Sequence, residues 1–396
     1  MKKIGIKAYR FSISWPRILP DGTGRENVQG LKFYDALVDE LLANGIEPYV
    51  TLFHWDYPLA LYHRGGWMNP DSPLWFEEYT EKIAKHFKGR VRNYFTINEP
   101  QCFIGLGHCQ GVYAPGLRLS EKDCLICLKN VLLAHGRAVR KLREFGGEVK
   151  IGMAACGGIK IPTSPSEADV QAARQATFHI SDDSEEVLSS VSLWGDPVFF
   201  GDYPEAFQRQ YHGKYVPFTE EEKSLISQPI DFFGQNIYHG TPVSAAEDGG
   251  WKPALFGAGH ARTAIGWPVT PDCLYWCVKF LYERYGKPVV ITENGMSAHD
   301  VVSLDGKVHD PNRIDFLHRY LLELKRAAEE GYEVDGYFQW SLLDNFEWAR
   351  GYDERFGLIY VDFQTQKRIL KDSALWYREV IRSNGNHLFP EGNNVQ

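Results

Sequence analysis

The 396-residue chain has no apolar run approaching the roughly 18 residues that a membrane-spanning helix needs, so no membrane partner is expected. It lacks any excess of positive charge. Its 43 Lys and Arg stand against 51 Asp and Glu, a formal charge of −8, which argues against nucleic acid as the main partner. No leader is visible, because Met1-Lys2-Lys3 runs straight into an ordinary strand, and a cytoplasmic location is the expectation. No internal repeat or low-complexity linker interrupts the chain. A single domain is therefore expected over residues 1–383, with a flexible tail from 384 to 396. Cysteines number only seven. Cys124 with Cys127, and Cys273 with Cys277, sit in helical patterns, and no second ligand pair stands at metal spacing. They read as buried structural thiols in a reducing compartment, with no metal and no cofactor expected.

Present in quantity are apolar residues, at 44%, and aromatic ones: 11 Trp, 21 Tyr and 23 Phe. Rings stack on the apolar faces of sugars, but they also fill large cores, and composition alone does not separate the two. Seven apolar strand candidates alternate with helical stretches. The strands are Ala8 to Ile13, Ile46 to Phe53, Tyr94 to Asn98, Lys150 to Ala154, Asp231 to Ile237, Pro288 to Thr292 and Asp335 to Trp340. The clearest helices, with 3.6-residue apolar spacing, are 30–43, 74–87, 123–145, 272–285, 313–330 and 372–382. Alternating strands and helices, with near-continuous apolar strands, predict a parallel sheet covered on both faces. The fold class is α/β, a (β/α)8 TIM-type barrel. Such a barrel closes with eight strands, and only seven are counted. The first strand and most of the first helix are therefore expected to be missing from this chain.

Two strings carry most of the chemistry. Thr96-Ile97-Asn98-Glu99-Pro100 and Ile291-Thr292-Glu293-Asn294-Gly295 each end an apolar strand on a glutamate and drop at once into turn residues. A carboxylate at the end of a buried strand is costly unless it is used. Cleaving a glycosidic bond takes two carboxyl groups. One protonates the leaving oxygen, and the other attacks the anomeric carbon or activates water. Asn98, beside Glu99, can hydrogen-bond a sugar hydroxyl. Arg10, at the end of an earlier strand, and Tyr238, after the string ending Asn236-Ile237, can both support Glu293.

The ordered set of strings resembles glycoside hydrolase family 1, of the β-glucosidase type. The matching stretches are Tyr9 to Arg17, His54-Trp55-Asp56-Tyr57-Pro58, Thr96 to Pro100, Gly234 to Tyr238, Ile291 to Gly295 and Trp340 to Trp348. The resemblance implies a retaining hydrolase of terminal non-reducing β-D-glucosyl residues, extending to β-galactosyl and β-fucosyl residues. Glu99 would be the acid/base and Glu293 the nucleophile. His54, Trp55, Asn98 and Asn236 would bind the glycone. Trp340 would form a stacking floor, Glu347 would take the outer hydroxyls, and Trp348 would lie beside it. Trp251, Phe256 and Trp267, in the Gly/Ala-rich stretch 240–271, are candidates for an aglycone loop. The expected partner is a small-molecule β-glucoside or oligosaccharide, and a homo-oligomer is left open.

Two departures from the family pattern stand out. The family's N-terminal Gln-x-Glu-Gly string, whose Gln binds outer hydroxyls of the glycone, is not found. Cys156 stands where the family more often has Asn, and an altered loop contact is expected there. Two alternatives follow: a truncated remnant that is inactive or binds sugar only weakly, and a 6-phospho-β-glucosidase, which the carboxylate of Glu347 disfavours.

Overall fold

A computed structural model describes residues 1–184 and 186–388. All seven expected strands form, within two residues of the expected ends. They are β1 (Ala8–Ser12), β2 (Glu47–Phe53), β3 (Asn93–Asn98), β4 (Lys150–Ala155), β5 (Phe233–Asn236), β6 (Val289–Asn294) and β7 (Val334–Gln339). The six expected helices form as α1 (Val28–Ala43), α2 (Ser72–His86), α3 (Glu121–Phe145), α4 (Cys273–Tyr285), α5 (Pro311–Glu329) and α6 (Asp372–Arg382). The contacts of the chain group it into two compact units. One comprises residues 8–158 and 177–236; the other comprises residues 1–7 and 159–176 and the chain from Ile237 onward.

In the first unit, β1 to β5 pair in chain order, all parallel. Every residue of β3 is buried, as expected of a parallel strand covered on both faces. α1 starts on Asn27, whose side chain accepts the Gln29 N–H, and buries Leu31, Tyr34, Val38 and Leu41 at helical spacing. Gly30 in that helix is obligatory, because a Cβ there would lie 2.1 Å from the Arg17 carbonyl oxygen. Much of the aromatic content fills this core. Trp15 packs on Phe53, Tyr57, Phe76 and Tyr79, and the Tyr79 hydroxyl donates to the Ile13 and Leu52 carbonyls.

Cysteine behaviour departs from the sequence reading at one pair. Cys127, Cys273 and Cys277 are buried thiols. Cys124 is instead bonded to Cys109, with an S–S distance of 2.10 Å. A π-helix over Gln101–Cys109 ends close to the capped start of α3, which brings the two Cα atoms to 6.1 Å, a spacing that a disulfide spans. No helix among the described residues is long and apolar enough to cross a membrane.

In the second unit, β6 and β7 pair in parallel, and every residue of β6 is buried. A smaller sheet joins Lys160–Pro162, Thr241–Ala245 and Trp251–Pro253. Residues 386–388, within the expected tail, form a 3-10 turn. Leu388 is buried, and its carbonyl accepts from His318. Residues 389–396 lie outside the described residues.

A buried charge network ties the loops of this second unit together. Arg313, fully buried, hydrogen-bonds Asp300 and Asp310. Lys371, also fully buried, reaches Asp300 at 2.5 Å and Asp344 at 2.7 Å, and Arg355 joins Asp344 at 2.7 Å. Burial raises the Asp300 carboxyl, but its hydrogen bonds and the charges of Arg313 and Lys371 outweigh this and hold it below its ordinary range. Removing one member leaves a buried charge without its partner. Arg313→Ala is therefore expected to destabilise the fold by about 3–5 kcal/mol in denaturant unfolding. A loss below about 1 kcal/mol, the value of an exposed pair, would contradict the network's importance.

Candidate active site

The first unit presents a polar cluster at the C-terminal end of β3. Asn98, fully buried, is its hub. Its Oδ1 accepts from an Arg10 guanidinium nitrogen at 2.5 Å and from Asn236 Nδ2 at 3.2 Å. Its Nδ2 lies 3.3 Å from His54 Nε2, and its carbonyl accepts from Trp55 Nε1 at 3.0 Å. Asn236 Nδ2 also donates to Glu99 Oε1 at 2.8 Å. Thus β1, β2, β3 and β5 each deliver a polar side chain to the same end, because parallel strands all finish on one side of their sheet.

The backbone here is bent to suit. The pairing of β3 with β4 shifts register between Phe95 and Asn98, a bulge that re-aims the residues that follow. Glu99 takes φ 44° and Trp55 φ 79°, both left-handed and neither a glycine. Such conformations cost on the order of 1–3 kcal/mol each and persist where surroundings impose them. The Glu99 N–H donates to the Ala154 carbonyl at 2.7 Å, which is one such constraint. Arg10 is braced by Thr51 Oγ1 at 3.1 Å and lies 5.0 Å over the Phe95 ring. Burial, aided by the Arg10 charge, pushes His54 down to about 3, so its ring is neutral at ordinary pH and offers a donor and an acceptor.

The second unit presents its own cluster at the end of β6. Glu293 is buried, with Oε2 accepting from the Tyr238 hydroxyl at 2.6 Å. Tyr238 is held by Tyr320, whose hydroxyl donates to its carbonyl at 3.0 Å. Asn294 turns the other way, donating to the Ile237 carbonyl and accepting from the Tyr337 hydroxyl. Gly295 must be glycine, since a Cβ there would stand 1.9 Å from the Trp340 carbonyl oxygen. The loop that leaves Trp340 carries Glu347 and then Trp348, at φ 44°. Burial first, and then the charge of Glu293, raise Glu347 to about 7. Its Oε2 is buried with no hydrogen-bond partner among the described residues. A buried carboxylate oxygen left so is an acceptor waiting for a donor.

The three aromatic residues of the 240–271 stretch part company. Trp267 packs on Tyr238, ring centroids 4.9 Å apart, and on Phe356. Trp251 starts the last strand of the small sheet, opposite Ala245, and Phe256 stacks on His260 at 4.3 Å. Cys156 sits against the start of the π-helix. Gln101 Nε2 donates to its carbonyl at 2.7 Å, its N–H donates to Gln101 Oε1, and its sulfur lies 3.6 Å from that of Cys102. Sequence reading missed Cys102 and Gln101 as neighbours of Cys156. A separation of about 55 residues leaves no local signal, and only the β3–β4 pairing brings them together.

The raised Glu347 fixes the sign of a pH effect. Its folded value, about 7, lies above the ordinary 4.5. It therefore stabilises the fold fully below 4.5 and loses that contribution as pH climbs through 7. Relative to Glu347→Gln, the wild type should lose on the order of 3 kcal/mol of stability between pH 4.5 and 8. Denaturant midpoints of both proteins across that range check this, and parallel curves would contradict it.

The chain matches Glycosyl hydrolase family 1 over residues 1–386. It is 44% identical over 390 residues to Beta-glucosidase A of Thermotoga maritima, covering 97% of this chain and 84% of that protein. It is 36% identical over 409 residues to a bifunctional beta-D-glucosidase/beta-D-fucosidase of Bifidobacterium breve, covering 96% of this chain and 85% of that protein. The solved Thermotoga maritima family 1 β-glucosidase in complex with isofagomine lactam is similar at a TM-score of 0.86 and 44% identity. That likeness covers 97% of this chain and 84% of the solved one. The α/β fold class expected from the strand and helix pattern, a TIM-type barrel, is that of these relatives, and the chain belongs to glycosyl hydrolase family 1.

Proposed function

We propose that this chain is a retaining β-glucosidase that releases terminal non-reducing β-D-glucosyl residues by double displacement. The observation that carries this reading is the pair of strand-end glutamates, each buried and each held by a neutral donor: Glu99 by the Asn236 amide and Glu293 by the Tyr238 hydroxyl. The family membership and the β-glucosidase relatives support it. The Bifidobacterium relative extends the substrate class to β-fucosides; β-galactosides rest on the family resemblance alone.

In the first step Glu293 attacks the anomeric carbon while Glu99 protonates the departing oxygen, giving a glycosyl-enzyme. In the second step Glu99 takes a proton from water as that water attacks the same carbon, and Glu293 is released. Tyr238 supports Glu293, and Arg10 holds Asn98. Asn98, His54 and Asn236 hold the glycone, with Trp55 beside them. Trp340 supplies an apolar floor, and Glu347 accepts from outer hydroxyls, which would give its unpartnered Oε2 a donor. Trp348 lies beside Glu347. Trp267, packed on Tyr238, is the strongest of the three aglycone candidates.

One catalytic domain over 1–383 belongs to the same proposal. The net charge of −8 speaks against nucleic acid as a partner. A cytoplasmic location is also proposed: the buried thiols of Cys127, Cys273 and Cys277 support it, and the Cys109–Cys124 bond weighs against a reducing compartment.

Hydrolysis of an aryl β-glucoside tests the reading. Glu293→Ala should abolish turnover, and Glu99→Gln should lower it by about 10²–10⁴-fold toward a substrate whose leaving group needs protonation. The first-formed sugar should be the β-anomer by NMR. A first-formed α-anomer would overturn double displacement.

A further inference from the structure

Two cysteine sulfurs that the mechanism above does not use meet at the acid/base glutamate. A Glu99 carboxylate oxygen, Cys102 Sγ and Cys156 Sγ all lie within 4.8 Å of one another. The two sulfurs are 3.6 Å apart, and both cysteines are partly exposed. The frame that holds them is well braced. Glu99 follows β3, Cys102 lies in the first turn of the π-helix, and Cys156 follows β4, the strand paired with β3. The Gln101 amide grips the Cys156 backbone through both its oxygen and its nitrogen.

We propose that Cys102, Cys156 and Glu99 form an inhibitory binding site for a thiophilic divalent cation of the zinc and cadmium class. The proposal rests on Glu99 being the acid/base. Two thiolates on one tetrahedral zinc, each with a metal–sulfur bond of about 2.3 Å, stand roughly 3.8 Å apart. The observed 3.6 Å lies close to that edge and far from the ~2.05 Å of a disulfide. The carboxylate supplies a third donor, and a water completes the tetrahedron. Each thiol releases its proton as its sulfur binds the cation, and nothing is oxidised or reduced. Coordination takes the Glu99 carboxylate out of proton transfer, so the loaded protein cannot assist the leaving group. Sulfur donors also set the selectivity, since Mg²⁺ and Ca²⁺ prefer oxygen and would not occupy the site.

Cadmium is the probe, because thiolate ligation gives it an ultraviolet charge-transfer band that is read independently of activity. The chelator-treated 396-residue chain is titrated with Cd²⁺ while the band and aryl β-glucoside hydrolysis are followed together. The expected result is a band that saturates at one equivalent as activity falls about a hundredfold or more, reversed by EDTA and not reproduced by Mg²⁺. Cys102→Ser and Cys156→Ser should each keep the metal-free activity while losing the inhibition and most of the band. Glu99→Gln should retain a thiolate band. Absence of a band in the wild type, or inhibition and band that persist in both serine variants, would overturn the site. Absence of hydrolysis by the metal-free wild type would instead sink the functional reading, because the band reports the sulfurs whether or not the protein turns over.

Discussion

A polar side chain at the end of a fully buried strand must find a partner or be used, and the candidate site is built on that constraint. β3 and β6 are buried along their whole length; β3 finishes on Asn98 with Glu99 next in the chain, and β6 finishes on Glu293 and Asn294. The neighbouring strand ends meet part of the demand. Asn98 draws in Arg10, His54, Trp55 and Asn236; Glu293 draws in Tyr238. Packing thereby becomes orientation, since each catalytic candidate is held by side chains that are themselves anchored. Glu347 is the exception that fits the same logic. Burial and a neighbouring carboxylate raise it, and an oxygen without a partner leaves it ready for a donor from outside the chain.

The elements visible in the sequence were those with a strong local cause. Buried parallel strands read as apolar runs, and the helices carried their apolar residues at 3.6-residue spacing, so both sets emerged close to their observed ends. Glu99 and Glu293 stood out because a charge does not belong at the end of such a run. Glu347 and Trp340 were not legible from composition or periodicity. They came from resemblance to the family.

What escaped was set by tertiary pairing. Left-handed backbone at Trp55, Glu99 and Trp348 has no sequence mark, because none of these residues favours it; the strand ends and loops impose it. The Cys109–Cys124 bond depends on where a π-helix ends, whereas the helical pattern grouped Cys124 with Cys127. The closeness of Cys102 and Cys156 depends on β3 lying beside β4. The Arg313–Asp300–Lys371 network likewise depends on tertiary pairing, which brings Lys371 to Asp300 across 71 residues of chain.

If Glu293 is the nucleophile of a double displacement, it can be trapped as a covalent glycosyl-enzyme. The chain is incubated with an activated 2-deoxy-2-fluoro-β-glucoside, whose fluorine slows the second step, and is then analysed by intact mass and peptide mapping. The expected result is one added fluoroglucosyl group, located on Glu293, with activity lost in proportion to labelling. Label on Glu347 or Glu99, or a chain that turns over aryl β-glucosides yet never carries the adduct, would contradict it.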